Sequence, residues 1–537
     1  MSIVTSDAWL GQEPCIKGRA TIAQVRGANA PLPPTDALLV SGGDDRIAID
    51  RASGLNKYGC AALPDPTLLS FASATTTAIS SAALGAAEAL RSRIVEALEA
   101  DTGPEAYARE LARIKTELVD LNELSTMHGL NVVFASSGTD LHLLASFQVF
   151  GRRRAPGTVI MVERTETGSG VHAALSGRHF NHSTSLGMHV AEGGCIGGEP
   201  LAQTCAVDLR QADGQPRPIS EIDDEIEALV VQATRRGRQV MLVIADQSRT
   251  GLLAPSPARA IEWSRRYPDQ LTVMVDACQF RVGPATLGAY LDQGWLVAIT
   301  GSKFLGGSAF SGALLVPAAC AHFARMPAPG LAAYSLRSDW PATWGTQGLL
   351  EDATNFGLIL RWESALHTLR SFSALRSEAV SGFMQSFGHA VGERLSTMRC
   401  TAPMAAPAFD RSFARGKGRW DEVPSIFPFL LIDPGTRLPL DRDRTMKVHR
   451  ALSAKASGNT ASAINPTEDE LAHMRCQFGQ PVPMGERGGT PVSALRLCLG
   501  ATQINQALTH RDGAATIMNR VHLALDKLDW AMGKLTR

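Results

Sequence analysis

The sequence predicts an α/β protein, with a large domain built on a mainly parallel sheet and a smaller α+β domain after it. Three observations support this prediction. Short apolar, β-branched runs alternate with helical patterns through the middle of the chain, which is typical of buried parallel strands joined by helices. This alternation of apolar runs and helical patterns stops after about Pro317, where longer helices and fewer strands follow. The length of 537 residues and the 45% hydrophobic content suffice for a core of that size.

Composition and charge exclude several classes of protein. Lys and Arg number 52, as do Asp and Glu, so the formal net charge is zero. A disordered chain needs low hydrophobicity and high net charge, while a nucleic-acid or polybasic membrane binder needs clustered positive charge. The sequence has neither pattern, so we expect no nucleic-acid partner and no membrane partner. Length alone suggests roughly two to four domains.

The cysteines and the N-terminal sequence bear on the cellular compartment. The nine cysteines are an odd number, are widely spaced and form no CxxC pair. That spacing supports neither a disulfide framework nor a zinc ribbon, and we expect no metal. No secretory signal is visible at the start, and no uncharged apolar run is long enough to span a bilayer. The expectation is a cytoplasmic, soluble and reduced protein.

The first predicted unit, residues 1–65, is an N-terminal extension or arm. It is rich in Pro, Gly and Asp and has no long periodic segment. Within it, Asn56–Lys57–Tyr58–Gly59 is polar and turn-like, and could either cover an active site or merely pack against the rest. Helical periodicity begins at Ala83 and returns at Glu105–Leu124.

The second predicted unit, residues 66–320, is the large domain, and the third, residues 321–537, is the small one. Apolar runs of strand length in the large domain are Asn131–Ala135, Thr158–Val162, Gln239–Ala245, Leu271–Val275 and Leu296–Thr300. Helical patterns separate several of them, at Glu221–Arg235 and Ala258–Arg266. The small domain contains, in order, a long linking helix near 355–397, an insertion or exposed loop at Cys400–Pro424, strands at Ile426–Ile432 and Ala494–Leu499, and a last helix at Ile517–Leu535.

The strongest chemical signal lies at the ends of two neighbouring predicted strands. One ends in Asp276, and Lys303 follows 27 residues later among small residues. Apolar surroundings lower the pKa of a lysine amine and make it a nucleophile toward an aldehyde. A carboxylate nearby can pair with a protonated heterocycle nitrogen. Pyridoxal 5′-phosphate (PLP) needs these two groups, although each residue alone is more simply an N-cap or a loop residue.

A third element, Ser136–Ser137–Gly138–Thr139, lies between a predicted strand and a predicted helix. Backbone N–H groups at a helix N-terminus bind phosphate, and the hydroxyls add further donors. Standing alone, the segment would be an ordinary N-capping turn. In combination with Asp276 and Lys303, it favours a site for PLP.

These motifs resemble the class V aminotransferase and cysteine desulfurase branch of the fold type I PLP-dependent enzymes. That branch carries an Asp-x-x-Gln signature and a later Ser/Thr-x-x-Lys-x-x-Gly segment, matched here by Asp276, Gln279, Thr300, Lys303 and Gly306. Phe71–Thr77 resembles its opening strand, and Ala494–Gly500 resembles the strand whose arginine clamps the substrate α-carboxylate. The likeness runs from about Leu69 to the C-terminus, and the order of the elements is the same.

The resemblance implies a fold, a cofactor and a set of roles. It implies a sheet of the seven-stranded type, PLP as cofactor, and a homodimer. Lys303 would hold the cofactor as a Schiff base and then act as base at Cα, Asp276 would contact the pyridine nitrogen, and Arg496 would clamp the substrate. The other cofactor-binding residues that it implies are Ser137, Gly138, Thr139, His172, Ser248, Gln279, Thr300 and Ser302.

The sequence departs from the branch at three of these positions. Ser302 stands where a histidine commonly precedes the lysine. Ser248 lies in Gln-Ser-Arg-Thr-Gly, which occupies the place of an Asn-Asn-Glu-x-Gly turn, so it would face the cofactor with different chemistry. His172 is the best candidate to stack on the cofactor ring. The alternative, which the sequence supports equally, is that His172 is simply a polar residue at a helix N-terminus.

We predict a PLP-dependent enzyme acting on a small α-amino acid, an aminotransferase in the first place. A lyase, a β- or γ-replacement enzyme or a carbon–carbon bond-forming enzyme remains open, as does a non-catalytic PLP-fold binding or scaffold protein. A cysteine desulfurase is less favoured, because neither Cys400 nor Cys476 lies in a small-residue loop. The outline Gly168-x-Gly170-x-x-Ala173, with Glu192 beyond it, also fits a dinucleotide fingerprint, so a nucleotide co-substrate stays open.

Overall fold

The computed structural model describes residues 31–151, 156–323, 329–345, 348–405, 409–416, 419–454 and 468–535. The first 30 residues of the predicted arm, including Cys15, lie outside the described residues. So do positions 406–408 and 417–418 of the predicted insertion. No helix in the described ranges combines the length and apolar character that crossing a bilayer requires.

The secondary structure alternates strands and helices up to residue 316 and becomes mixed after it. The strands are β1 (Leu68–Phe71), β2 (Asn131–Ala135), β3 (Gly157–Val162), β4 (Ala202–Val207), β5 (Val240–Asp246), β6 (Leu253–Ala254), β7 (Leu271–Ala277), β8 (Leu296–Thr300), β9 (Gly312–Val316), β10 (Thr401–Pro403), β11 (Ile426–Leu431), β12 (Arg475–Arg487) and β13 (Thr490–Cys498). The α-helices are α1 (Thr35–Leu39), α2 (Ser81–Ala97), α3 (Gly103–Leu121), α4 (Gly138–Phe150), α5 (Val171–Leu175), α6 (Ile219–Arg235), α7 (Pro257–Arg266), α8 (Pro284–Asp292), α9 (Phe356–Ser373), α10 (Ser377–Thr397), α11 (Arg442–Ser453), α12 (Glu468–His473), α13 (Ala501–Thr509) and α14 (Gly513–Leu535). Short 3₁₀ helices lie at Asp45–Ile47, Ala318–Phe323, Pro329–Ala333, Arg337–Asp339 and Trp420–Glu422.

The main sheet has the strand order β2-β9-β8-β7-β5-β3-β4, with the two-residue β6 paired to β5. From β8 to β4 all neighbours are parallel, and β9 runs antiparallel to both β2 and β8. The buried strands are nearly continuous apolar runs, as expected when helices cover both faces of a sheet. The predicted mainly parallel, seven-stranded sheet is confirmed. The edge strand β4 escaped prediction because only its two end residues are buried and its sequence is only weakly apolar.

A second sheet, of order β1-β12-β13-β11-β10, forms the core of the C-terminal part. β1 pairs in parallel with β12, with Leu68 opposite Arg475, while the remaining neighbours are antiparallel. β1 therefore belongs to this sheet, although the predicted boundary at residue 66 put it in the large domain. Backbone pairing with a segment some 400 residues away leaves no local signal in the sequence.

Two predicted features of the region 355–424 differ from the structure. Residues 355–397 form two helices, α9 and α10, because Arg376 adopts an extended conformation that interrupts helical hydrogen bonding. The segment Cys400–Pro424 is not a simple exposed loop. Its first residues form β10, and the side chains of Arg411 and Asp421 are fully buried. Buried charged groups need partners, and these two belong to a network that reaches the end of β5.

The described part of the arm, residues 31–65, is anchored to α9 and to the residue that precedes it, Asn355. The buried guanidinium of Arg361 on α9 donates hydrogen bonds to the carbonyls of Phe310, Ser41 and Gly42. Gly42 has φ +66°, and a Cβ there would lie 2.0 Å from Oδ1 of Asn355, so only glycine fits this close approach. These contacts bring the residues after Gly42 to the carboxyl edge of the main sheet.

Candidate active site

A cavity of about 220 Å³ lies at the carboxyl edge of the main sheet, where β7 and β8 end and α4 begins. Ligands of open α/β sheets bind in this position. Seven of the predicted site residues line it: Ser137, Gly138, Thr139, Asp276, Thr300, Ser302 and Lys303. The arm and β12 complete its wall, with Arg46, Tyr58 and Gln480 among the lining residues. Residues far apart in sequence thus converge on one cavity.

Asp276 and Lys303 are the charged groups on the floor of this cavity. Burial alone would raise the pKa of the Asp276 carboxyl, but the charges of His142 and Lys303 hold it well below its usual range. The backbone N–H of Cys278 also donates to Asp276 Oδ1, at 3.1 Å. Burial lowers the pKa of the Lys303 amine. The pair therefore offers a firmly ionised carboxylate and an amine that loses its proton more readily than a surface lysine does.

The phosphate-binding turn predicted at Ser137–Thr139 is the N-terminus of α4. Ser137 is the N-cap and forms a capping box with Asp140, and the Asp140 Oδ2 accepts from both the backbone N–H and the hydroxyl of Ser137. A Cβ on Gly138 would lie 2.9 Å from the Sγ of Cys278, so glycine lets the turn pack on the end of β7. The positive end of a 13-residue helix therefore faces the cavity.

His142 was missed by sequence analysis and lies between this turn and Asp276. It sits one helical turn after Gly138, and its Nδ1 is 2.7 Å from the Gly138 carbonyl oxygen. Its Nε2 is 3.3 Å from Asp276 Oδ2, an ion-pair distance without a well-aligned hydrogen bond. The sequence could have indicated this position, because residues at i and i+4 on a helix are neighbours and His142 follows Gly138 by four residues.

Arg46, in the arm, was also missed. Its Nη1 lies 3.1 Å from Thr139 Oγ1 and its Nη2 lies 3.2 Å from Ser137 Oγ. Asp44 binds the other edge of the same guanidinium, with Nη2 2.6 Å from Oδ2. No local motif marks an arginine that reaches a turn 91 residues later in the chain.

Two predicted cofactor contacts, His172 and Ser248, do not line the cavity. The ring Nε2 of His172 lies 3.2 Å from the carbonyl oxygen of Val162, inside the protein. The hydroxyl of Ser248 donates a hydrogen bond to the buried carboxylate of Glu166 at 2.8 Å. The side chain of Ser248 is therefore bound to Glu166. Their roles toward a cofactor remain predictions.

Gln279 and Arg496 lie behind the cavity wall. Gln279 Nε2 donates to the Ala74 carbonyl, and its Oε1 is buried without a partner among the described residues. Arg496 is fully buried and donates to Thr75 Oγ1 and to the carbonyls of Gln480 and Arg249. Burial and the charge of Arg249 lower the pKa of Arg496 to about 10.

Arg249 is the cation that reaches the cavity from the loop after β5. It lines the cavity together with Lys303, and within the described ranges its guanidinium has no hydrogen-bond or ion-pair partner. Burial lowers the pKa of Arg249. An arginine without a partner in a cavity wall is available to a carboxylate, which it binds in bidentate geometry.

The residues present fit PLP. The cavity combines a buried amine, an ionised carboxylate and the hydroxyl-rich N-terminus of a helix, which suit the aldehyde, the pyridinium nitrogen and the phosphate respectively. The unpartnered Oε1 of Gln279 and the Arg46 edge that contacts Thr139 are further polar groups at or behind this wall. Among the described residues, no cluster of three or more His, Cys, Asp or Glu is arranged to hold a metal ion.

The glycines of the possible dinucleotide fingerprint have a different setting from a nucleotide-binding helix. Gly168 and Ser169 line the cavity, but the helix that follows, α5, has only five residues. Glu192 lies apart from them at the surface, 3.2 Å from His182. The segment closes one side of the cavity wall.

Comparison with solved structures finds matches at low sequence identity. The cysteine desulfurase CsdA of Escherichia coli is 15% identical, with a TM-score of 0.46 over 86% of this chain and 95% of that chain. The cystine C-S lyase C-DES, in complex with cysteine persulfide, is 12% identical, with a TM-score of 0.48 over 86% and 98%. A NifS-like protein from Rickettsia africae is 12% identical, with a TM-score of 0.46 over 86% and 99%.

Each of these structures is less than 25% identical to this chain. No protein-family model and no curated protein matches the sequence. Because every one of these TM-scores is below 0.5, the proposals below rest on the sheet topology and on the contacts within the cavity.

Proposed function

We propose that this chain is a PLP-dependent enzyme that acts on a small α-amino acid. The observation that carries the proposal is the convergence of Lys303, Asp276 and the Ser137–Thr139 turn on one cavity. PLP supplies an aldehyde that condenses with an amine, releasing water, and a pyridinium ring that withdraws electrons from the substrate Cα. The Lys303 amine, the Asp276 carboxylate and the Ser137–Thr139 turn would each bind a different part of PLP.

Lys303 is the proposed catalytic residue. Its lowered pKa increases the fraction of neutral amine, which is the form that attacks an aldehyde and that removes a proton from Cα. Asp276 would hold the pyridine nitrogen of a bound PLP, because its lowered pKa keeps the carboxylate ionised. Thr300 orients the strand end by donating to the Cys278 carbonyl at 2.6 Å. Thr76 donates to the Ser302 carbonyl at 3.2 Å, next to the lysine.

The substrate carboxylate has two candidate partners. The resemblance implies Arg496, which is buried and already bonded to Thr75 and Gln480. Arg249 lines the cavity and is unpaired among the described residues. We propose that Arg249 makes the direct contact and that Arg496 positions it, because Arg496 Nη1 donates to the Arg249 carbonyl at 2.9 Å. A clamp by Arg496 itself is the alternative.

Among PLP reactions we favour transamination, for which Lys303 would be the group that takes the proton from the substrate Cα. A cysteine desulfurase needs an accessible thiolate. Burial raises the pKa of Cys400 and of Cys476 to about 12, and burial also raises that of Cys278 at the cavity wall. These thiols suit packing rather than sulfur transfer. A lyase, a replacement enzyme or a carbon–carbon bond-forming enzyme is the alternative, since Ser302 stands where the branch has a histidine.

A spectrophotometric screen of amino acids against the PLP-loaded protein tests the proposed reaction. In transamination, one amino acid alone converts the cofactor to its amine form and releases a stoichiometric 2-oxo acid. Adding a 2-oxo acid then restores the starting spectrum. Product formation from an amino acid without this half-reaction would favour the lyase or replacement alternative. The homodimer and the boundaries at residues 65 and 320 also remain proposals, and light scattering of the purified protein tests the first.

A further inference from the structure

Arg46 reaches the cavity from the 3₁₀ helix Asp45–Ile47 of the arm, and Asp44 fixes one edge of its guanidinium. The Nε lies 2.9 Å from Asp44 Oδ1 and the Nη2 lies 2.6 Å from Oδ2, a bidentate pair. The side chain of Asp44 is fully buried and that of Arg46 is 11% exposed. The rings of Phe180 and Phe310 lie 5.4 Å and 4.9 Å from the guanidinium carbon. Contacts on several sides therefore hold the group in one orientation.

The other edge of the guanidinium, Nη1 and Nη2, faces the hydroxyls of Thr139 and Ser137. These hydroxyls and the N-terminus of α4 are the groups that we assign to the cofactor phosphate. An arginine edge with two parallel N–H groups matches two oxygens of a phosphate. The arginines and lysines that line the cavity in the described ranges are Arg46, Lys57, Arg249 and Lys303, and Arg46 alone among them is hydrogen-bonded to the turn.

Further contacts join the arm to the same turn. Ser136 donates from its hydroxyl to the Gly42 carbonyl at 2.8 Å, and Asn355 Nδ2 donates to that carbonyl at 3.0 Å. On the other side, the Asp45 backbone N–H donates to Ser183 Oγ at 3.0 Å. The arm is therefore docked on the turn through its backbone, independently of the Arg46 side chain.

We infer that Arg46 binds the 5′-phosphate of PLP together with the Ser137–Thr139 turn, so that the arm of the same chain completes the cofactor site. This inference rests on the proposed function. Asp44 orients the guanidinium so that its Nη1–Nη2 edge faces the turn. Lys57 and Tyr58, later in the arm, line the same cavity.

Comparing PLP with pyridoxal, which lacks the phosphate, isolates the role of Arg46. Each is titrated into apoprotein of the wild type and of Arg46→Gln, and the dissociation constants are read from absorbance. We expect Arg46→Gln to weaken PLP binding at least tenfold and pyridoxal binding less than twofold, with Arg46→Lys intermediate. Inorganic phosphate should compete with PLP in the wild type and more weakly in Arg46→Gln. An unchanged ratio of PLP to pyridoxal affinity in Arg46→Gln would overturn the inference.

Two further variants keep the test decisive. Arg46→Gln leaves Asp44 buried and unpaired, so the double variant Asp44→Asn/Arg46→Gln removes both charges and should show the same selective loss of PLP. Arg91→Gln is the matched control, because Arg91 anchors the arm by donating to the carbonyls of Leu32 and Pro33 but does not touch the turn. It should keep the wild-type ratio, and a PLP-selective loss there would contradict a direct contact by Arg46. A wild type that binds neither compound would refute the proposed function itself, which is a distinct result.

Discussion

The imidazole Nε2 of His142 lies 3.3 Å from Oδ2 of Asp276, and the same ring joins that carboxylate to the phosphate turn through its Nδ1. Both neighbours of the ring are acceptors, namely a carboxylate and the Gly138 carbonyl. The contact with His142 lowers the pKa of Asp276 against the effect of burial, and an ionised carboxylate suits the pyridinium nitrogen of the proposed cofactor.

Replacing His142 by leucine should raise the pKa of Asp276, because burial then acts without the charge that opposes it. The Asp276 carboxylate would protonate at a higher pH, so the acid limb of turnover and of the cofactor spectrum should move upward. His142→Gln retains an amide N–H and should restore part of the shift. A pH titration of the PLP-loaded proteins measures this effect, and identical acid limbs in all three would show that His142 does not act on Asp276.

Asp276→Asn should change the reactivity of Lys303. Burial lowers the pKa of the lysine amine below its ordinary value of 10.5, while the Asp276 charge raises it. Removing that charge lowers the pKa further, so capture of PLP by the apoprotein should reach half its maximal rate at a lower pH in the variant. Stopped-flow absorbance across pH gives both midpoints. A wild-type midpoint at or above 10.5 would contradict a buried, activated amine.

Arg249→Gln should weaken amino-acid binding by tenfold or more while leaving the cofactor absorbance intact. A hydrogen bond to a charged group contributes about 1.5–3 kcal/mol, and about 1.4 kcal/mol corresponds to tenfold. An amine that lacks the carboxylate should bind both proteins equally. Arg496→Gln serves as the comparison, and we expect mainly a lower melting temperature from its lost bonds to Thr75 and Gln480. If Arg496→Gln alone weakened amino-acid binding, the clamp would be Arg496.

The buried pair of Arg411 and Asp246 should stabilise the loop that carries Arg249. Both side chains are fully buried, and Arg411 Nε lies 3.2 Å from Asp246 Oδ2 at the end of β5. Arg411→Met leaves the buried Asp246 carboxylate without its ion-pair partner, which should lower the free energy of unfolding by about 3–5 kcal/mol. The partly exposed pair of Arg259 and Glu262 is the control, where Arg259→Ala should cost no more than about 1 kcal/mol. Equal losses in urea unfolding would show that the buried pair has no special role.

Local patterns in the sequence predicted five strands of the main sheet, β2, β3, β5, β7 and β8, and the turn at Ser137–Thr139, because buried parallel strands are apolar runs and a helix start has a recognisable cap. They predicted Asp276 and Lys303 through motif order. They did not indicate Arg46 or β1's pairing with β12, since contacts between distant segments are specified by packing. His142 is an intermediate case. Its four-residue spacing from Gly138 on a helix could have indicated that it lies near the turn, but His172, in a more polar loop, was predicted as the cofactor-binding histidine instead.

The central claim is that Lys303 binds PLP covalently. Purified wild-type protein incubated with PLP should develop an absorbance band at the visible edge of the spectrum, and Lys303→Ala should lack it. Borohydride reduction followed by peptide mass spectrometry should then place the cofactor on Lys303. A wild type that stays colourless and binds no added PLP, or a cofactor fixed on another lysine such as Lys57, would contradict the claim.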